Sequence, residues 1–485
     1  MRTLAITPRN NLLQRYKILP NLATACIFFT KKHHQTRKKI QADGAIPQIS
    51  LILHFFNEKF VFVLEIQYLC RVFVIKRVFY THTEYMLITL IAGARPNFMK
   101  IAPLIKAIQK AAAEGHDIHH RLVHTGQHYD KNMSDTFFEE LGIPMPDVNL
   151  GCGGGTQAEQ TANIMVAFEK DLIEHPTDLV LVVGDVTSTM ACSIVAKKLN
   201  TKVCHVEAGI RSWDQTMPEE INRMVTDALA DYMFTTSEIA NKNLVLLGAE
   251  LQATDLHPHS SSFTDVHPLP ALPEEQYAFK RSVQRVWYVG NVMIDTLLAN
   301  RERFRRPAVY DELGLEEKQY VVMTMHRPAN VDEQNHLRAL MEQIITNVHG
   351  LPIIFPIHPR TAKLFYQLWG DQEQLAQLFP NLHIVDPMGY LEFNYLVERA
   401  KAVVTDSGGI TEETTVMGVP CITLRDNTER PETCTVGTNM LIGTKPEAIK
   451  PALDKLFAGE WKKGEIPALW DGHTSERIID ILLTL

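Results

Sequence analysis

The sequence predicts an α/β protein built from two Rossmann-like domains that face each other across a cleft. Three observations point there. From Met86 onward, short apolar runs alternate with longer amphipathic stretches, the rhythm of right-handed βαβ units around a parallel sheet covered on both faces. That rhythm occurs twice, in series separated by a Pro- and Ser-rich interruption over Leu251–Arg285. Polar residues gather just after the strands in both series, where open α/β sheets hold ligands.

The first 85 residues stand apart. Met1–Lys39 is basic, with Lys31-Lys32-His33-His34 and Arg37-Lys38-Lys39, and no apolar span with a small-residue cleavage site follows. Leu51–Tyr80 is apolar and aromatic, but Glu58, Lys59, Glu65, Arg71 and Lys76 interrupt it. A membrane helix needs about twenty mostly apolar residues, so no membrane span is expected. Residues 1–85 read as an accessory extension or an upstream mis-start, with a targeting segment as the alternative.

The first domain is expected over residues 86–290. Its strands read at Leu87–Ile91, Arg121–His124, Leu179–Val183, Lys202–Val206 and Tyr232–Thr235. Its helices read near Phe98–Ala112, Gln157–Leu172, Thr187–Lys198, Pro218–Ala230 and Ser237–Leu247. Pro258, Pro268, Pro270, Pro273 and Ser260-Ser261-Ser262 mark 251–285 as a loop insertion. The rhythm resumes at Tyr288-Val289-Gly290-Asn291, followed by a helix through Asn300. The second domain is expected over 291–465, with strands at Tyr320–Thr324, Ile353–Ile357, Leu382–Val385, Ala402–Thr405 and Cys421–Leu424. A C-terminal helix is expected within 466–485.

A length of 485 residues suits about two to four domains. The 45% hydrophobic and 21% charged fractions are those of a soluble globular protein. A net charge of −8 argues against a nucleic-acid partner, which calls for a basic footprint. The seven cysteines are scattered and form no Cys-x-x-Cys, which suits free thiols in a reducing compartment such as the cytoplasm.

Chemistry concentrates at Asp406-Ser407-Gly408-Gly409, between the strand Ala402–Thr405 and a helix starting at Ile410. Free N–H groups and the helix dipole favour an anion there, and paired glycines let a phosphate approach closely. Arg425 and Arg430, about twenty residues on, add guanidinium groups suited to phosphate. Taken alone, the turn would be ordinary, with Asp406 or Ser407 as its N-cap. Arg95 and Lys100, after Gly93-Ala94, make a second anion-binding element. Asp185, Glu207 and Glu219 each follow a strand or open a helix; Glu219 alone suits a first-turn dipole partner. Together, opposite a phosphate cradle, the three read as acid–base machinery. His326-Arg327 and His358-Pro359-Arg360 follow second-domain strands and suit phosphate or ribose contact. The tract His116, His119, His120, His124 and His128 lacks a ligand spacing, so no metal is expected. With neither Gly-x-Gly-x-x-Gly nor a P-loop in the chain, no dinucleotide or other cofactor is expected.

Nine segments in order carry a resemblance: Gly93-Ala94-Arg95-Pro96, Thr125-Gly126-Gln127-His128, Gly184-Asp185, His205-Val206-Glu207-Ala208-Gly209, Pro218-Glu219-Glu220-Ile221-Asn222-Arg223, Val289-Gly290-Asn291, His326-Arg327, Asp406-Ser407-Gly408-Gly409 and Thr428-Glu429-Arg430-Pro431-Glu432. Over residues 86–485 the chain resembles the non-hydrolysing UDP-N-acetylglucosamine 2-epimerase family. The resemblance implies the glycosyltransferase-B fold, a homodimer, and interconversion of UDP-N-acetylglucosamine and UDP-N-acetylmannosamine for cell-surface polysaccharide precursors. It implies UDP contacts from Arg95, Lys100, His326, Phe393, Ser407, Gly408, Gly409, Glu413 and Arg430, and catalytic roles for Asp185, Glu207 and Glu219. Residues 1–85 and 251–285 lie outside the pattern. Met388 stands where some members carry a glutamine near the uracil, so that contact is not carried over. Gln127-His128-Tyr129-Asp130 and His326-Arg327-Pro328 differ from the versions tied to allosteric activation by substrate, which is not carried over either.

The implied chemistry fits the residues. The C2 proton is not next to a carbonyl, so elimination of UDP across C1–C2 to a bound glycal, then re-addition, is the route open without a nicotinamide. It needs stabilised departing diphosphate and acid–base groups on both faces of C2. A hydrolysing epimerase releasing N-acetylmannosamine and UDP, a glycosyltransferase of the same fold, and a non-catalytic sugar-nucleotide sensor are the alternatives. A relative of the substrate, such as a 2,3-diacetamido uronic acid sugar, is also open.

Overall fold

The computed structural model describes residues 49–56, 59–66, 77–80, 85–126, 141–252, 284–357 and 359–485. It divides into two units, Met1–Glu84 and Tyr85–Leu485. The first unit holds a three-stranded antiparallel sheet, Ile49–Phe56 with Lys59–Ile66 and Lys59–Ile66 with Arg77–Tyr80. Among the described residues no helix is long and apolar enough to cross a membrane.

The second unit contains two parallel sheets. The first has eight strands in the order Glu250–Leu251, Arg285–Tyr288, Tyr232–Thr235, Lys202–Val206, Leu179–Val183, Met86–Ala92, Ile118–His124, Val148–Asn149. Its side chains alternate between two packed faces. Leu90, Leu122 and Leu181 join Leu104 and Ile105 of the helix Arg95–Ala113 on one side. Ile91, Val123, Val180 and Val182 join Ile164 and Phe168 of the helix Gln157–Glu174 on the other. Unbroken apolar runs such as Leu179–Val183 are what a sheet covered on both faces requires of its central strands. The helix Gln157–Glu174 starts with a capping box, in which Thr156 Oγ1 accepts from Glu159 N and Glu159 Oε2 accepts from Thr156 N.

The second sheet runs Leu382–Val385, Ile353–Pro356, Val321–Thr324, Ala402–Thr405, Cys421–Thr423, Asn439–Leu441. In each sheet the strand order reverses near the middle, and in the first it turns back again at the edge, where Arg285–Tyr288 lies between Tyr232–Thr235 and Glu250–Leu251. The central reversal lies between Met86–Ala92 and Leu179–Val183 in the first, and between Val321–Thr324 and Ala402–Thr405 in the second. Such a switch point opens a crevice beyond the strand ends, and that is where ligands bind. Gly93-Ala94 and Gly184-Asp185 stand at the first; His326 and Asp406-Ser407 stand at the second.

The chain then returns to the first domain. Ile478, Ile479 and Leu482 of the C-terminal helix Thr474–Leu483 are buried in the cluster that holds Ile88 and Leu104. Asp295 receives the N–H groups of Thr474 and Ser475 at 3.1 and 2.6 Å, anchoring the start of that helix. Tyr288 Oη donates to Ala468 O at 2.7 Å, and Trp470 Nε1 donates to Thr236 O at 3.0 Å.

The loop insertion expected over 251–285 is bounded differently. Its ends are strands: Glu250–Leu251 pairs in parallel with Arg285–Val286 at the sheet edge. An exposed Arg285 followed by three residues gave too short an apolar run to read as a strand beside Pro- and Ser-rich sequence. Residues 253–283, with the prolines and serines that marked the insertion, lie outside the described residues.

Candidate active site

At the first switch point, Asn97 in the first turn of Arg95–Ala113 organises the loops. Its Oδ1 accepts from the N–H groups of Gly93 and Ala94 at 3.3 and 3.0 Å, and its Nδ2 donates to Val183 O at 2.9 Å. Lys100, one turn on, reaches Glu207 with an Nζ–Oε2 distance of 2.7 Å. The Arg95 side chain lies outside the described residues. Glu207 is buried, follows the strand Lys202–Val206, and has a left-handed backbone with φ 69°. Its Oε2 also accepts from Arg430 Nη2 at 2.9 Å, while the buried Oε1 has no hydrogen-bond partner among the described residues. Burial pushes the Glu207 carboxyl up, but Lys100 and Arg430 outweigh burial and hold it below its ordinary value.

Asp185 follows Gly184 and is gripped by Arg223, Nε at 3.0 Å and Nη2 at 2.6 Å on the same oxygen. Burial raises it, yet Arg223, Lys100 and Arg430 bring it below the usual carboxylate range. Glu219 is exposed in the first turn of Pro218–Leu229 and contributes to the field at Arg327. Its neighbour Glu220 is buried and accepts from Ser212 N, Ser212 Oγ, Trp213 N and Arg223 Nη1. Of two adjacent glutamates, one therefore shapes the loop and the other faces the cleft rim.

At the second switch point Asp406 joins two loops. Its carboxylate accepts from the N–H groups of His326 and Arg327 at 3.0 and 2.8 Å, and its Oδ1 lies 2.8 Å from His326 Nδ1. Arg327 Nε donates to Asp406 O at 3.0 Å. Neither Asp406 nor Ser407 caps the helix Gly408–Met417 with its side chain, so the ordinary N-cap reading does not hold. Ser407, Gly408 and Gly409 are part-exposed at that helix start. Arg425 is held bidentately by Glu429 at 2.7 and 2.8 Å. Burial raises Glu429, but Arg425 and Arg223 hold it down at about 2. Arg430 is bound through Nε to Glu412 and through Nη2 to Glu207. Both guanidinium groups that the sequence aimed at an anion thus rest on carboxylates. Glu412 Oε1 also accepts from Asn291 Nδ2 at 3.0 Å.

Glu413 is buried and accepts from Tyr390 Oη at 2.9 Å; burial, with Glu412 adding, pushes it up to about 7. Phe393 is half-buried against the cluster that contains Leu396 and Val397. Gln127, His128, Tyr129, Asp130 and His358, and the Arg360 side chain, lie outside the described residues. Among the described residues no group of three His, Cys, Asp or Glu could hold a metal ion.

The sequence model of the family described as UDP-N-acetylglucosamine 2-epimerase matches residues 110–483. The chain belongs to this family. It is 36% identical over 410 residues to a UDP-N-acetylglucosamine 2-epimerase of Methanocaldococcus jannaschii, covering 82% of this chain and 99% of that one. It is 33% identical over 402 residues to a UDP-2,3-diacetamido-2,3-dideoxy-D-glucuronate 2-epimerase of Pseudomonas aeruginosa, covering 82% and 100%. The crystal structure of the M. jannaschii UDP-GlcNAc 2-epimerase in complex with UDP-GlcNAc and UDP superposes with a TM-score of 0.66, at 36% identity over 82% of this chain and 100% of that one. The protein is accordingly an epimerase-family enzyme with two Rossmann-like domains in the glycosyltransferase-B arrangement.

Within the epimerase, several residues that build the site carried no role in the sequence reading. Arg223 and Glu220 lay inside a quoted segment and Asn97 directly after one, and their signal was adjacency to the charged residues named. Tyr390 and Glu412 gave no signal, and Asn291 gave only its place in a quoted segment. Tyr390 is 23 positions from Glu413 and Asn291 is 121 from Glu412, so only the fold brings them together.

Proposed function

We propose that this epimerase interconverts UDP-N-acetylglucosamine and UDP-N-acetylmannosamine without net hydrolysis. One observation carries the reading: a buried carboxylate, Glu207, stands between Lys100 and Arg430 with one oxygen unpartnered, beside Asp185 and with Arg430 linking it to the domain of the Gly408 helix start. A carboxylate takes the C2 proton, the C1–O electrons leave with UDP, and a C1–C2 double bond forms. UDP then re-adds at C1 while a proton reaches the opposite face of C2. Asp185, Glu207 and Glu219 share this proton transfer. Arg95, Lys100, His326, Phe393, Ser407, Gly408, Gly409, Glu413 and Arg430 contact UDP. When the diphosphate draws Arg430 toward it, Glu207 loses one of its two cations and becomes a stronger base.

The proposal extends to limits of 86–290, 291–465 and 466–485 for the parts of the enzyme, a homodimer, a cytoplasmic location, and supply of polysaccharide precursors. No cofactor takes part in the steps. The P. aeruginosa relative favours a 2,3-diacetamido uronic acid sugar as the second candidate substrate. Incubating the protein with either UDP-sugar and following the products by NMR tests this. UDP-N-acetylmannosamine as the product supports the reading. Free N-acetylmannosamine with UDP would make the enzyme hydrolysing, and conversion of the diacetamido sugar alone would replace the substrate.

A further inference from the structure

We propose that His205 is a positioning residue, a buried imidazolium that fixes the two loops carrying Asp185 and Glu207. The inference rests on the proposed reading of those carboxylates as the acid–base pair. His205 is completely buried in the strand Lys202–Val206. Its Nδ1 lies 2.7 Å from Asp227 Oδ1, and its Nε2 lies 2.9 Å from the carbonyl oxygen of Gly184. A carbonyl oxygen only accepts, so Nε2 must carry hydrogen. Asp227 accepts as well: its Oδ2 receives Gly209 N at 3.1 Å and lies 2.7 Å from Arg211 Nη1. Two acceptors on one ring require two N–H groups, which only the charged form has.

The charge is matched locally. Asp227 faces the ring, and Arg211 faces Asp227 from the far side, both nearly inaccessible to solvent. Burial raises Asp227, and the His205 and Arg211 charges lower it below its ordinary value. A buried charge paired in this way is costly to disturb, because removing one partner leaves the other unpaired.

The consequence falls on the reacting groups. Gly184 directly precedes Asp185, and Glu207 lies between His205 and Gly209, whose N–H Asp227 holds. Asp227 therefore fastens both sides of Glu207, one through the ring and one through the Gly209 amide. The ring simultaneously fastens the backbone that aims Asp185. The left-handed conformations at Glu207 and Gly209, φ 69° and 76°, are held by these bonds. His205 touches no reacting atom; it acts through the two carboxylates.

Three measurements on the full chain test this. A ¹⁵N–¹H correlation of the histidine rings should show a hydrogen on each of the two His205 ring nitrogens. His205→Asn should lower kcat about a hundredfold, the scale of a sub-ångström to 1 Å misplacement, with UDP affinity unchanged in a direct titration. Asp227→Asn should lower kcat likewise and return the ring to a single N–H. Full turnover in a folded His205→Asn protein would overturn the proposal, as would a single ring N–H in the wild type, or UDP affinity lost in step with kcat. If His205→Asn does not fold, the wild-type spectrum and Asp227→Asn decide. A wild type that converts neither UDP-sugar would overturn the functional reading instead.

Discussion

A left-handed backbone at a residue with a β-carbon costs about 1–3 kcal/mol, and Glu207 carries that cost at the end of a buried strand. The bend sets its carboxylate between Lys100 and Arg430. Asp185→Asn, Glu207→Gln and Glu219→Gln should each slow epimerisation by about a hundredfold or more, the usual scale of an acid–base group. UDP should still bind, which titration would show, and turnover in heavy water should place deuterium at C2 of the product. Full activity in all three amides would end the catalytic assignment. Glu413 gives a pH prediction. Its carboxyl is raised from 4.5 to about 7 by burial, so in this window the unfolded chain has lost a proton that the folded protein keeps. Stability is then fully present below pH 4.5 and falls as pH rises toward 7, by on the order of 3 kcal/mol. Comparing thermal midpoints of wild type and Glu413→Gln across that range should show the slope flattened in the variant; parallel curves would refute it. At this scale sequence position revealed the carboxylates and the glycine turn, because both sit at strand ends. It could not reveal that Arg425 pairs with Glu429 or Arg430 with Glu412, since charge counts do not say which partner a buried guanidinium chooses.

Strands buried on both faces were the most legible elements: Leu179–Val183, Lys202–Val206, Tyr232–Thr235 and Ala402–Thr405 have the limits their apolar runs suggest, and the four-residue edge strand Leu382–Val385 does too. The shortest edge strands were not legible. Val148–Asn149, Glu250–Leu251 and Asn439–Leu441 are two or three residues long, too short for a periodic pattern to emerge. The helix Arg95–Ala113 begins three residues earlier than its apolar stripe, since Pro96 suits a first turn and Asn97 is occupied with the preceding turn. The link from Tyr288 to the helix Val292–Asn300 depends on Gly290, with φ 102°. A β-carbon there would lie 2.1 Å from Leu469 O and 2.8 Å from Thr474 Oγ1. Gly290→Ala should therefore cost roughly 2 kcal/mol or more from strain and displaced backbone, and lower the unfolding midpoint. An unchanged midpoint would mean that the 469–474 segment gives way freely.

Charge pairs cross the cleft of the whole enzyme. Arg430 of the second domain meets Glu207 of the first at 2.9 Å, and Arg223 of the first approaches Glu429 of the second at 3.7 Å. Arg430→Ala should weaken UDP binding by about 1.5–3 kcal/mol. It should also lower stability by roughly 3–5 kcal/mol, because Glu207 and Glu412 lose a shared cation in a buried place. Retained UDP affinity in that variant would confine Arg430 to holding carboxylates. The last prediction concerns residues 1–85. The unit Tyr85–Leu485 contains both parallel sheets, every predicted site residue and the returning C-terminal helix. Its first strand is secured from its first residue, since Met86 N donates to Asp117 O at 2.7 Å. The M. jannaschii relative is matched over 99% of its own length by 82% of this chain. A protein starting at Met86 loses, within that unit, Tyr85 and its edge contact with the His119 ring at 5.0 Å. It should fold cooperatively, with an unfolding midpoint and an epimerisation rate close to those of the full chain. An insoluble or inactive product, alongside an active full-length control, would make the N-terminal segment an integral part of the enzyme.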